Sequence, residues 1–302
     1  MTASGSPARS RRLRRTSVRG WCSSRGSARD DPETAAASAS AIAEALAGEP
    51  HVQVAVGPAG VHSDAPETFA LLGEVAAKPG LRRRTQANEQ VDVEVALARY
   101  GRRPLELLDE WGWLAPDVTL AHLCDVTPAE IARLAAAGVS VTHAPGCDLP
   151  MGWGVAPTAA FTDAGVAVGL GTSGGGSKDA GHLLADARLA MQVAPLVGRP
   201  VAAREALTWA TTGSADGLGR PELGHLTAES AADLVCWDVT GVADAGVADP
   251  LAGLLWAAPG RRAKHVVVGG EVVVRDGELV RRGEREVAEA LRALLRARGP
   301  AA

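Results

Sequence analysis

Long apolar runs are missing from this chain: no stretch approaches the roughly 18 uninterrupted apolar residues that a membrane-spanning helix needs, which argues against a helical membrane span. Cysteine is scarce. Cys22, Cys124, Cys147 and Cys236 stand apart without a CxxC pair, and no apolar signal-peptide core precedes them. A disulfide framework is therefore not expected, and a reduced, cytoplasmic setting is. Lysine is nearly absent, three residues beside 28 arginines, which is the usage of a GC-rich coding sequence. An excess of positive charge is lacking too: residues 31–302 hold 23 basic against 34 acidic residues. That acidic body argues against a nucleic-acid footprint. The Gly-rich stretch 171–176 has neither the GK[ST] ending of a P-loop nor the GxGxxG context of a dinucleotide site, so it is not read as a phosphate cradle.

What is present is a chain of 302 residues, 46% of them hydrophobic, enough for an ordinary globular core. Residues 1–30 stand apart from it, with eight arginines, one acid and no apolar period of 3.6 or 2. They are expected to be disordered. A transit peptide, a nucleic-acid arm, and GC-rich DNA read from a wrong start or frame all fit that composition.

From residue 31 a strand and helix rhythm sets in. Helices are expected at 33–48, 66–78, 89–109, 128–137, 157–164, 181–194 and 202–212, and strands at 51–57, 81–86, 118–122, 139–143 and 166–171. Strands alternating with helices and ending in polar or Gly-rich loops indicate parallel βα units. Five strands are too few for a closed eight-stranded barrel. After residue 230 the pattern changes to short strands at 232–238, 265–268 and 271–275 with turns at Gly269-Gly270 and Asp276-Gly277, which predict antiparallel pairing. A charged amphipathic helix is expected at 284–297. The reading is four parts: an Arg-rich segment 1–30, a βα unit 31–230, a small β-domain 231–283, and a C-terminal helix and tail 284–302.

Polar residues ending successive parallel strands converge on one rim of a barrel, and here they are Gln86, His122, His143 and the Gly171-Thr172-Ser173 loop. Glu89 lies three residues beyond Gln86. A strand-end His with Glu three residues on would set a metal ligand beside a proton-shuttling acid. This chain has Gln in place of that His. His122 alone reads equally as a rim histidine, and Glu89 as a carboxylate heading a helix.

The segment "HAPGCDLPMGWGVAP" at 143–157, with "VGLGTSGGGSKD" at 168–179, "REALTWATTGSADGLGRPELGHL" at 204–226, "ADLVCWD" and "VVVGGEVVVRDGELV", resembles the amidohydrolase superfamily. Within it, the likeness is to triazine hydrolases and to aminohydrolases of purines such as guanine and 8-oxoguanine. The resemblance implies an α/β fold: a partial (β/α)8, TIM-like barrel, about its last five strands, plus part of a small β-sandwich. It implies metal-dependent hydrolytic deamination or dehalogenation of a small nitrogen heterocycle, with zinc as cofactor. Carried over, Glu89 is the general acid/base, His122 polarises the nucleophile or leaving group, and Ser173 stands where most members hold a catalytic Asp. Asp148 and Trp153 would meet the substrate. His122 would be a weak metal ligand, and Gln86 fills the place of a ligating His, where an amide is a much poorer zinc ligand than imidazole. No His-x-His pair occurs among the seven histidines. These departures imply an N-terminally truncated member whose zinc site is degenerate; the alternative is an inactive relic or pseudoenzyme that serves at most as a binding or oligomeric partner. Exposed sheet edges would favour self-association.

Overall fold

The computed structural model describes residues 31–49, 52–77, 81–174, 177, 181–257 and 260–298, and the backbone of 21–25. Helix starts are fixed by local chemistry. Asp31 accepts a hydrogen bond from the Thr34 amide at 3.0 Å and Pro32 opens α1 (Pro32–Leu46). Pro66 likewise opens α2 (Pro66–Ala76). The helices expected over 89–109 are α3 (Gln90–Tyr100) and α4 (Pro104–Glu110), divided where Gly101 ends the first in a left-handed conformation and Pro104 starts the second. Thr127 and Glu130 cap each other reciprocally ahead of α5 (Pro128–Ala137). The short α6 (Pro145–Asp148) and α7 (Thr158–Asp163) follow, then α8 (Leu183–Val193) and α9 (Ala203–Thr208). A π turn at Trp209–Gly213 carries α9 into α10 (Ser214–Leu218).

Six parallel strands pair in chain order: β1 (Trp21–Arg25), β2 (Val52–Val56), β3 (Arg82–Ala87), β4 (Val118–His122), β5 (Ser140–His143) and β6 (Ala167–Leu170). Five match the expected strands within two residues. The sixth corrects the reading of 1–30 as wholly without structure, since Trp21–Arg25 pairs with Val52–Val56. Backbone pairing along an open sheet edge supplies what local composition does not. The rest of that Arg-rich segment lies outside the described residues. Among the described residues β1 and β6 do not pair, so the sheet is open.

Alternation sorts the two faces. Leu120, Val141 and Val168 stand side by side in the register and pack with Phe69, Leu108, Leu134 and Phe161 in the core. The opposite face is polar and carries α10. Gln53 Nε2 donates to the Leu218 carbonyl at 2.8 Å, and Thr119 Oγ1 and Arg82 Nε donate to that of Gly217 at 2.7 and 3.2 Å. The π turn lies so close to β6 that a Cβ on Gly213 would stand 1.9 Å from the Val168 carbonyl oxygen, which only glycine permits.

The second sheet is antiparallel, β7 (Leu234–Trp237), β8 (Ala263–Val268), β9 (Glu271–Arg275) and β10 (Glu278–Leu279), paired in that order. Asp276 and Gly277 both take positive φ, as a two-residue hairpin turn requires. Between β7 and β8 runs α11 (Pro250–Trp256), whose Leu255 joins the core of the larger unit. The terminal α12 (Glu284–Arg298) leaves Val287, Leu291, Leu294 and Leu295 exposed along one stripe. No described helix is long and apolar enough to cross a membrane.

Candidate active site

Strand register sets the site. Gln86 lies opposite Ala121 and Ala87 opposite His122, and the pairing continues past the strand ends, with the Leu123 amide donating to the Ala87 carbonyl at 3.0 Å and the Asp125 amide to that of Asn88 at 2.9 Å. Asn88, His122 and Leu123 leave their strands with φ of +54°, +77° and +54°. This left-handed exit turns the strand-end side chains together. Arg103 braces the β4 loop, donating to Glu130 Oε1 and the Asp125 carbonyl, both at 2.8 Å.

His122 is the hub, and it is buried. Its Nδ1–H donates to Asp148 Oδ1 at 2.6 Å, because a carboxylate can only accept. The Gln86 amide then donates from Nε2 to the His122 Nε2 lone pair at 3.2 Å. Glu89 Oε1 stands 4.0 Å from that same Nε2. Trp153 meets the imidazole edge-on, with ring centroids 5.1 Å apart. His143, also buried, sits with Nδ1 3.5 Å from Asp148 Oδ2.

Glu89 is fully buried at the head of α3, and neither carboxylate oxygen has a hydrogen-bond partner. Burial pushes its carboxyl up to about 7, against the opposing pull of His122. For Asp148, burial acts upward but is outweighed by the His122 and His143 rings, which hold it below the usual carboxylate range. Two buried acids within one cluster are thereby driven apart, one poised to exchange a proton near neutrality and one kept ionised.

Of the residues singled out by sequence, Gln86, Glu89, His122, Asp148 and Trp153 come together. Ser173 does not: it is exposed at φ +57°, and among the described residues no hydrogen bond or ion pair links it to His122 or Glu89. Two residues escaped the sequence reading. His62, in the loop after β2, donates its Nδ1–H to Asp92 Oδ1 at 3.2 Å and its amide to the same oxygen at 2.9 Å. The only sequence signal for it was its place after a strand end.

Among the described residues two sets of side chains gather metal-ligating atoms within 4.8 Å of one another: His122, Cys147 and Asp148, and His62, Glu89 and Asp92. The thiols of the site region are unbridged, and burial pushes that of Cys124 up. A cavity of about 200 Å³ lies on the α10 side of the sheet, lined by Arg82, Arg84, Thr119 and Thr142, and none of the clustered site residues borders it.

A carboxylate-held imidazole thus stands beside a buried acid at the C-terminal ends of parallel strands, the rim on which a barrel gathers its functional side chains. The chain belongs to the amidohydrolase family, whose profile matches residues 1–273. It is 37% identical to an 8-oxoguanine deaminase of Pseudomonas aeruginosa over 229 residues, 75% of this chain and 51% of that protein. Among solved structures it is similar to a triazine hydrolase of Arthrobacter aurescens (40% identity, TM-score 0.77, 81% of this chain and 55% of the other). An atrazine chlorohydrolase variant from the same organism, complexed with zinc and atraton, superposes with a TM-score of 0.86 at 34% identity, over 95% of this chain and 68% of the other. The chain spans about half the length of the curated relative.

Proposed function

We propose that this chain catalyses hydrolytic removal of an amino group, or a comparable leaving group, from a ring carbon of a nitrogen heterocycle, with Glu89 moving the protons. The observation that carries the reading is the unpartnered, buried Glu89 carboxylate 4.0 Å from the Nε2 of an imidazole that Asp148 holds by its other nitrogen. As carboxylate, Glu89 takes a proton from water while the water oxygen bonds to the ring carbon. It then gives that proton to the departing nitrogen; the C–N bond breaks, and ammonia leaves. His122, kept in one tautomer by Asp148, offers its Nε2 lone pair to a hydrogen on the ring or the water. Trp153 supplies an aromatic edge beside the flat substrate.

The residues at the position where the resemblance implies zinc do not fit that ion. Gln86 presents an amide N–H₂ toward His122, both ring nitrogens of His122 are engaged, and Ser173 is exposed. No step of the scheme uses the metal. The relatives named above support the substrate class, and 8-oxoguanine and atraton are the compounds to try first. Ammonia release from 8-oxoguanine, lowered about 100-fold or more by Glu89→Gln, is the expected result. An unchanged rate in Glu89→Gln removes the role given to Glu89.

A further inference from the structure

α12 stands off the rest of the molecule. Arg262 ties down its first turn through an ion pair with Glu284, and among its described side chains only Glu284 and Ala288 are half-buried. Val287, Leu291, Leu294 and Leu295 recur at the i, i+4, i+7, i+8 spacing of one helix face and are from 42% to 63% exposed. A helix of 15 residues is marginal in water unless its apolar face is buried against a neighbour. No neighbour among the described residues covers this one.

Charge is divided along the helix. Residues 284–290 hold Glu284, Glu286 and Glu289 against Arg285, whereas residues 291–297 hold Arg292 and Arg296 and no acid. A second α12 laid antiparallel brings each acidic half beside a basic half and opposes the two helix dipoles; a parallel pair sets like beside like. The halves meet at Leu291, so one two-fold axis near that residue serves both ends at once. Ala288 and Ala290 border the apolar stripe and let the backbones approach to the roughly 8–10 Å of packed helices. A membrane surface fits less well, because three glutamates balance three arginines over 284–297 and leave no basic excess.

We infer that α12 is a self-association surface: it pairs antiparallel with α12 of a second copy, about a two-fold axis near Leu291. Leu295 of one copy then stands level with Val287 of the other, and Leu294 with Ala288. The four apolar side chains offer roughly 400 Å² per copy, half of the about 800 Å² per partner in a standard interface, so the dimer dissociates readily. The surface lies on the terminal helix and is independent of the hydrolytic reading.

Sedimentation of the full chain should show monomer and dimer in exchange, with a dissociation constant on the order of 10–100 μM. Leu291→Lys should raise that constant about tenfold or more, while Leu196→Lys, at an exposed residue away from α12, should leave it within about twofold. Should Leu291→Lys lose its cooperative melt, Leu294→Gln is read in its place. Amides of α12, and not those of β4, should gain protection from hydrogen exchange as concentration rises through the constant. Orientation is read by mild oxidation in a Cys22→Ser, Cys236→Ser background. Val287→Cys with Leu295→Cys in one chain should give a disulfide-linked dimer. Val287→Cys alone should not, since its two copies lie about 12 Å apart along the axis at about 1.5 Å per residue. A monomer at every concentration overturns the surface, as does a dimer indifferent to Leu291→Lys. Linkage by Val287→Cys alone overturns the antiparallel arrangement, and protection of α12 that appears only with anionic lipid vesicles overturns the self-association.

Discussion

Replacing Glu89 by glutamine should stabilise the protein while disabling it, and the gain should depend on pH in a way set by one buried carboxyl. In the unfolded chain that group titrates near 4.5; in the folded chain burial raises it to about 7. Below about 4.5 both states are protonated and the folded state pays nothing for a buried charge. Between 4.5 and about 7 the unfolded chain has lost its proton and the folded one still holds it, so stability falls as pH rises. Above about 7 the full deficit persists, about 3 kcal/mol at 1.36 kcal/mol per pH unit. Glutamine has nearly the same shape and no charge. Glu89→Gln is therefore expected to match the wild type at pH 4.5 and to gain about 3 kcal/mol at pH 8, or on the order of 6–12 °C in melting temperature. Melts of both proteins across this range, in chelator so that no bound cation holds Glu89 ionised, provide the check. A difference that stays flat with pH refutes the reasoning, whatever happens to turnover.

Asp148→Asn keeps the shape behind His122 but removes the charge that holds its Nδ1–H, so kcat on a deaminated substrate should drop about 10–100-fold with little change in KM; a rise in KM alone would assign Asp148 to binding. Gly213→Ala forces a methyl into the Val168 carbonyl and should cost about 3 kcal/mol or more. A melting temperature within about 2 °C of wild type would show that the π turn can move away. On α12, Leu291→Lys with Leu294→Lys breaks an exposed apolar stripe and should reduce hydrophobic-dye binding and self-association while leaving the melt in place. Sedimentation that is unaltered by the pair would place any association elsewhere.

Much of the architecture is legible because apolar strand residues and their polar ends recur at a steady spacing. β2, β4, β5 and β6 follow from their β-branched and leucine runs, whereas β3 begins with three arginines and is found chiefly by its place in the rhythm. The break between α3 and α4 is written in the Gly101 to Pro104 stretch. α6 and α11 are four and seven residues long, too short for a period to declare itself. β1 escapes for another reason: its pairing is supplied by β2 and not by its own composition. In the site, Glu89 and His122 are readable as strand-end residues, and their convergence follows from register. His62 is not readable, since its partner Asp92 lies thirty positions on and is brought to it only when β2 and β3 become neighbours. Ser173 was placed by its strand-end position and by resemblance, and the loop after β6 carries it to the surface.

The left-handed exits at the strand ends bear on how this site can change. Among the described residues twelve positive-φ positions are glycine, so the chain uses glycine freely wherever the backbone turns that way. Asn88, His122, Leu123 and Ser173 are exceptions, and all four follow or end a strand of the parallel sheet. Each non-glycine residue there costs about 1–2 kcal/mol relative to a relaxed backbone. Stability by itself would favour glycine at position 122, and a glycine there would erase the imidazole. The strand ends are thus a place where durability and chemistry draw the sequence in opposite directions. Any effort to make the protein more robust should spare these turns and work on the helix-covered core instead.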